Sequence, residues 1–266
     1  GNNRIQIFDG GGTPLGLLGE NAVPPIAWSA PHDLAFDASG NVYVADTGNN
    51  RIVVLDAEGL LLRETGGPGS GPGLFSYPMR VLLDSVGNLY VTDQMNYRIQ
   101  KFDGAGAYLL HWGVEGDGID EFSVPDGLAL DNFGDILVAD RGFHDRIQVF
   151  TNTGTFIAAW GSQWGGQNEF DGPTDVAADT EGNIYVTDHG NHRIQKSDQN
   201  GIFVGLWGPA AGDPGHFEDP YALALNPDND LAYVYDMKDG KIRQYNMAGA
   251  FQDEWDSGAG ANIYAG

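Results

Sequence analysis

The sequence predicts an all-β fold, a six-bladed β-propeller of four-stranded antiparallel blades, on three observations. Prolines recur at Pro31, Pro78, Pro125, Pro173 and Pro220, at spacings of 47, 47, 48 and 47 residues. Arg4, Arg51, Arg98, Arg146 and Arg193 keep the same period, and so do Trp112, Trp160, Trp207 and Trp255. Each unit contains four short β-type runs separated by turn residues, and repeats of 40 to 50 residues with four strands are propeller blades.

The elements of one unit follow in order. The first run, Leu34 to Asp37, carries a small residue at a position repeated as Ala35, Ala129, Ala177 and Ala224. Small side chains suit the innermost strand, where blades crowd the axis; Leu82 breaks the pattern. The turn Asp37-Ala38-Ser39-Gly40 joins it to the second run, Val42 to Ala45. There Asp holds the turn through its carboxylate and Gly supplies the positive φ. The second run and the third, Ile52 to Leu55, are rich in residues of high β propensity. The turn Asp56-Ala57-Glu58-Gly59 leads to the fourth run, Leu60 to Glu64.

Complete blades are thus expected from residues 31, 78, 125, 173 and 220, in a single domain spanning 1–266. Before Pro31 the chain supplies only a third and a fourth run, Arg4 to Phe8 and Leu15 to Leu18. The tail Ala261-Asn262-Ile263-Tyr264-Ala265 reads as a second strand. The expectation is therefore a sixth blade closed by both termini, from 1–30 plus 256–266. Such closure removes strand edges that would otherwise aggregate. The same complementarity could act between chains, making the protein a self-assembling filament subunit.

Composition narrows the function. With 37 acidic against 13 basic residues the formal net charge is -24. Nucleic acid and anionic lipid require cationic faces, so neither is an expected partner. No apolar run approaches membrane-spanning length, so insertion is not expected. There is no Cys, hence no disulfide framework or thiolate chemistry. The 40 glycines favour a turn-rich fold over helical bundles.

The signature Gly-Asn-Val-Tyr-Val-Ala-Asp-Thr-Gly-Asn-Asn-Arg-Ile, from Gly40 to Ile52, returns at Gly87 to Ile99 and Gly182 to Ile194. It resembles the NHL repeat family over nearly the whole chain. The last unit departs, with Asp236-Met237-Lys238-Asp239-Gly240-Lys241 in place of the Asn-x-Arg ending. The resemblance implies a surface sensor or a part of a larger secreted protein, outside the cell or at its surface. RNA binding, which occurs in animal NHL domains, needs a basic face, and only Arg80 and Arg141 stand outside the register on this one.

In a propeller the start of the first strand and the loop between second and third strands share one face. Two rings are expected there. The inner ring is His32-Asp33, Met79-Arg80, Asp126-Gly127, Thr174-Asp175 and Tyr221-Ala222, lining an axial funnel. The outer ring varies from blade to blade: Met95, Tyr97, Phe143, His144, His189, His192 and Met237. Varied aromatic and imidazole groups suit partner binding, with a protein or glycan as the partner. The opposite face carries the Asp-x-x-Gly turns and reads as structural. The repeated Asp46, Asp93, Asp140, Asp188 and Asp236 read as loop braces, paired with the register arginines by charge-assisted hydrogen bonds. Phe75, Phe122, Phe170, Phe217 and Trp28 read as core, and Trp164, which has no register partner, as exposed.

Pro31-His32-Asp33-Leu34-Ala35 is similar to a metal-site strand of the peptidylglycine α-amidating lyases. That resemblance implies three histidines converging on zinc. Here the matching positions hold Met79, Asp126, Thr174 and Tyr221, and one His cannot build a zinc site. No cofactor is therefore expected, with calcium as the exception. Six-bladed lactonase and phosphotriesterase relatives imply it, and Asp33, Asp126 and Asp175 offer oxygen ligands. Otherwise these carboxylates are expected to be solvated at the funnel mouth. The sequence thus reads as a non-enzymatic binding or scaffold module, its rival being a lyase or hydrolase using the axial funnel.

Overall fold

The computed structural model describes residues 3–8, 13–19, 22, 25–208, 211–226 and 230–257. These form an all-β propeller with five four-stranded antiparallel sheets. In the first blade the strands are Pro31–Phe36, Val42–Asp46, Arg51–Leu55 and Leu61–Gly66, paired in sequence order. The same order repeats with first strands at Pro78–Leu83, Val124–Leu130, Pro173–Ala178 and Pro220–Asn226.

The blade number corrects the sequence reading: the described residues make five complete blades, not six. Ahead of the first blade stands a two-stranded sheet, Gln6–Phe8 with Pro14–Leu17. The residues before Pro31 carry only the third- and fourth-strand part of the repeat, and two strands cannot make a four-stranded blade. Residues 261–265, read as a second strand, lie outside the described residues.

The core is divided between blades. One cluster joins Tyr43, Ile52 and Phe75 to Val81, Leu89 and Phe102 of the next blade. Equivalent clusters join the second and third, third and fourth, and fourth and fifth blades. On its other flank the first blade packs Val42, Val44, Val53 and Leu55 against Trp28, with Ile5, Leu18 and Ile26 alongside. The N-terminal segment therefore covers the apolar face that a preceding blade would cover. Phe75, Phe122, Phe170, Phe217 and Trp28 are buried, as their register requires.

The turns hold as their chemistry dictates. The Asp37 carboxylate accepts the amides of Ser39 and Asn41 at 2.8 and 3.0 Å, and Gly40 sits at φ 81°. Each first strand bulges just after its opening proline, as between Pro31 and Asp33 or Pro78 and Val81. A bulge re-aims the side chains around it. Here those are the residues of the axial ring.

Candidate functional site

The loops of the ring face are braced by the repeated acids. Asp46 pairs with Arg51 at 2.8 Å, Asp93 with Arg98 at 2.8 Å, Asp140 with Arg146 at 3.3 Å and Asp188 with Arg193 at 2.7 Å. In the last blade the partner of Asp236 is Arg243, at 2.8 Å. The second role of each pair lies between blades. The Asp93 carboxylate accepts the Ser76 amide at 2.7 Å, and Arg98 donates to the carbonyls of Ser70, Gly71 and Leu74. Each pair thus pins the chain arriving from the preceding blade, and the five acids are structural.

On this rigid frame the outer-ring residues divide. Met95, Phe143, His144 and His192 are exposed. Phe143 is 75% exposed, and Trp164, on the neighbouring inter-blade loop, 74%. The Trp164 carbonyl accepts the Asn191 side-chain amide at 3.0 Å, which ties this loop to the His189–His192 turn. Tyr97 is different: it is half-buried and packs on the core between the second and third blades. His189 also leaves the outer ring. Its Nδ1 lies 2.7 Å from Asp219 and its ring meets Tyr221 edge-on, with centroids 6.2 Å apart.

The axial residues converge on one guanidinium. Arg80 is buried and lies 3.4 Å from Asp175, 3.7 Å from Asp33 and 3.7 Å from Asp126, carboxylates of three other blades. It also reaches the Thr174 carbonyl at 3.4 Å and stands 6.0 Å from the centre of the Tyr221 ring. Asp33 accepts the Val81 amide and Asp175 the Leu223 amide, both at 2.9 Å, so each carboxylate ties its first strand to that of the next blade. Arg141 lies over Asp126 at 3.3 Å. His32 Nε2 and the Tyr221 hydroxyl are 3.3 Å apart, linking the first blade to the fifth.

This corrects the expectation that the three carboxylates are solvated at the funnel mouth. They are sequestered, because Arg80 supplies the counter-charge that permits burial. Each of the three has the Arg80 guanidinium as its ionic partner. Among the described residues no group of three or more His, Asp or Glu is arranged to hold a metal ion.

Burial governs the protonation of the cluster. It pushes the Asp175 carboxyl up to about 7, against the opposing pull of Arg80. It raises Asp33 and Asp126 in the same way. Burial, reinforced by the Arg80 charge, lowers His32 well below its ordinary range, so the imidazole is neutral at pH 7. Burial and the nearby Asp126 raise Tyr221, which stays protonated.

Two features escaped the sequence reading. One is the position after the register Asp, which points inward in the first four blades, whereas Met237 in the fifth is exposed. Thr47 donates to the Pro78 carbonyl at 2.6 Å, while Arg141 and His189 make the contacts already given. Its signal was the change in chemistry, Thr, Gln, Arg, His and Met at one repeat position. The other is Asp219, which has no register signal.

The NHL repeat profile matches residues 29–55 and 170–196. No curated protein matches the sequence. Among solved structures, streptogramin B lyase is similar at TM-score 0.66 and 19% identity, over 87% of this chain and 70% of that one. Selenomethionine-substituted virginiamycin B lyase from Staphylococcus aureus is similar at TM-score 0.65 and 18% identity, over 85% and 69%. Nidogen, in its complex with laminin, is similar at TM-score 0.67 and 17% identity, over 87% and 82%. At these identities the structural likeness speaks for the fold. The profile thus marks NHL repeats at two places in the chain, and the architecture around them is that of a β-propeller.

Proposed function

We propose that this propeller is a non-catalytic binding module, working outside the cell or at its surface, whose ring face docks a protein partner. The observation that carries the reading is a set of large apolar side chains on braced loops. Phe143, Trp164 and Met95 project from turns pinned by the Asp–Arg pairs. Exposed aromatics held on a rigid frame lose little entropy on binding and serve as interface anchors. The axis is consistent with the same reading: Asp33, Asp126 and Asp175 each have Arg80 as an ionic partner, so none stands as an isolated acid or base. The similarity to nidogen in its laminin complex favours a protein over a glycan.

The test is selection of a displayed peptide library on the wild-type protein. Selected clones are expected to lose at least about tenfold in affinity, roughly 1.4 kcal/mol, for Phe143→Ser combined with Trp164→Ser. The turn-face control Phe133→Ser should leave them unchanged. Clones indifferent to the double substitution would overturn the reading. So would turnover of ester or lactone substrates that disappears with His32→Ala.

A further inference from the structure

Beyond the ring face, the first strands enclose a second space. On the turn side of the Arg80 layer lies a cavity of about 500 Å³. Its charged end is made by Asp33, Arg80 and Asp175, and its walls are apolar, with Leu34, Val81, Leu128 and Leu223 among them. Ala35, Ala129, Ala177 and Ala224, the small residues of the repeat, also line it. The lining begins at the Arg80 layer, which therefore separates this cavity from the funnel of His32 and Tyr221.

Exposure shows which way it opens. Pro31, Pro78, Pro173 and Pro220 are buried, whereas Leu83, Ala178 and Leu225, at the far ends of their strands, are half-exposed and Phe36 is 54% exposed. The mouth is on the face of the Asp-x-x-Gly turns. From Asp33 to Phe36 the wall runs about 10 Å, at roughly 3.3 Å per residue.

The mouth combines two chemistries. Phe36, Val86 and Phe133, from three successive blades, are 54%, 80% and 69% exposed. Among them stand the turn carboxylates Asp37, Asp84, Asp131 and Asp179. Burial and the adjacent Asp131 raise the carboxyl of Asp135, a sign of crowded negative charge. Lys101 and Lys196 do not offset it at the axis, being held over the rings of Tyr90 and Tyr185 at 5.0 and 4.9 Å. At the floor, the two carboxylates of Asp33 and Asp175 face the single guanidinium of Arg80.

We propose that the cavity binds a small hydrophobic organic monocation, an alkyl- or arylammonium. Its apolar body lies along the strand walls, and its ammonium head donates to Asp33 and Asp175. The volume falls in the range of sites that enclose small organic ligands, apolar with a few convergent polar groups. The excess carboxylate at the floor selects the sign of the head group, and the acidic rim draws cations toward it. This site is independent of the ring face, so either can fail alone.

Calorimetric titration with octylammonium chloride tests it, with sodium octanoate as the probe of equal length and opposite charge. Octylammonium is expected to bind once per chain and at least about tenfold more tightly than octanoate. Ala224→Phe, which fills the cavity, should abolish the heat. Val86→Lys, an exposed substitution that places a cation at the mouth, should weaken binding without altering the fold. Phe143→Ser on the ring face should change nothing. The proposal is overturned if octanoate binds as tightly, if neither Ala224→Phe nor Val86→Lys weakens binding, or if octylammonium gives no heat at millimolar concentration.

Discussion

Arg80 is the residue on which the axis turns. It neutralises carboxylates from three blades that burial alone would drive to protonate. Removing one member of a buried ionic cluster leaves the others uncompensated, at about 3–5 kcal/mol. Arg80→Met is therefore expected to lower unfolding free energy by that order in urea titrations. Adding Asp33→Asn and Asp175→Asn should restore part of the loss, because the amide oxygens can still accept from Val81 and Leu223. The cluster also makes stability depend on pH, through two opposed slopes. Asp175 has its folded pKa raised to about 7, so the folded state binds the extra proton and stability falls as pH rises from the carboxylate range toward 7. Asp33 and Asp126 act in the same sense. His32 has its folded pKa lowered, so the unfolded chain binds the extra proton and stability falls as pH drops below about 6.5. Relative to wild type, melting temperatures between pH 5 and 7 should fall more steeply with rising pH in His32→Gln. In Asp175→Asn they should move the other way. Identical slopes in all three proteins would refute the assignment.

Two repeated devices act at the level of the element. The Asp–Arg pair joins the second-to-third-strand loop to the chain entering from the preceding blade. It survives in the last blade, where Arg243 replaces the missing register arginine. The second device couples the outer strand to the following blade. An added Cβ at Gly154, Gly201 or Gly249 would come within 3.0 Å of Trp112, Trp160 or Trp207 respectively. In these three outer turns the glycine is required twice, for its positive φ and for the indole packed against it. Gly201, at φ 75°, would bring a Cβ to 2.5 Å from Trp160. Gly201→Ala is expected to cost about 1–3 kcal/mol from the left-handed backbone alone, with the clash added. Thermal unfolding in a Trp160→Ala background should show a smaller loss, because only the backbone term remains. An equal loss in both backgrounds would leave the indole without a part in it.

At the scale of the whole molecule, stability resides between blades rather than within them. Each sheet buries one face against each neighbour, as expected for repeats that cannot bury their apolar surface alone. The first blade lacks a four-stranded neighbour on one side among the described residues, and Trp28 with Ile5, Leu18 and Ile26 takes its place. Trp28→Ala should therefore cost about 3–5 kcal/mol, although it lies outside every complete blade. Hydrogen exchange should show the loss first in Val42–Asp46 and Arg51–Leu55, the strands it covers. Uniform loosening of all blades would argue against this localised role.

Repeat period, strand order, turn chemistry and the structural role of the register Asp and Arg were legible in the sequence, because each is a local pattern repeated blade after blade. The six candidate funnel residues could be named for the same reason, since one repeat position maps to one ring around the axis. What those residues do to one another could not be read there. Arg80, Asp33, Asp126 and Asp175 occupy neighbouring positions in different repeats, and only the arrangement of the first four blades around the axis brings them within 3.4–3.7 Å. That proximity turns three expected surface carboxylates into a buried cluster. The half-buried Tyr97 and the inward His189 escaped for a related reason: a loop residue's direction depends on the adjoining blade. The count of five four-stranded blades among the described residues likewise came from tertiary structure, because a strand belongs to a blade only through its hydrogen-bonded neighbours. The sequence by itself determined the repeat, and the packing of one repeat on the next decided which side chains meet at the axis.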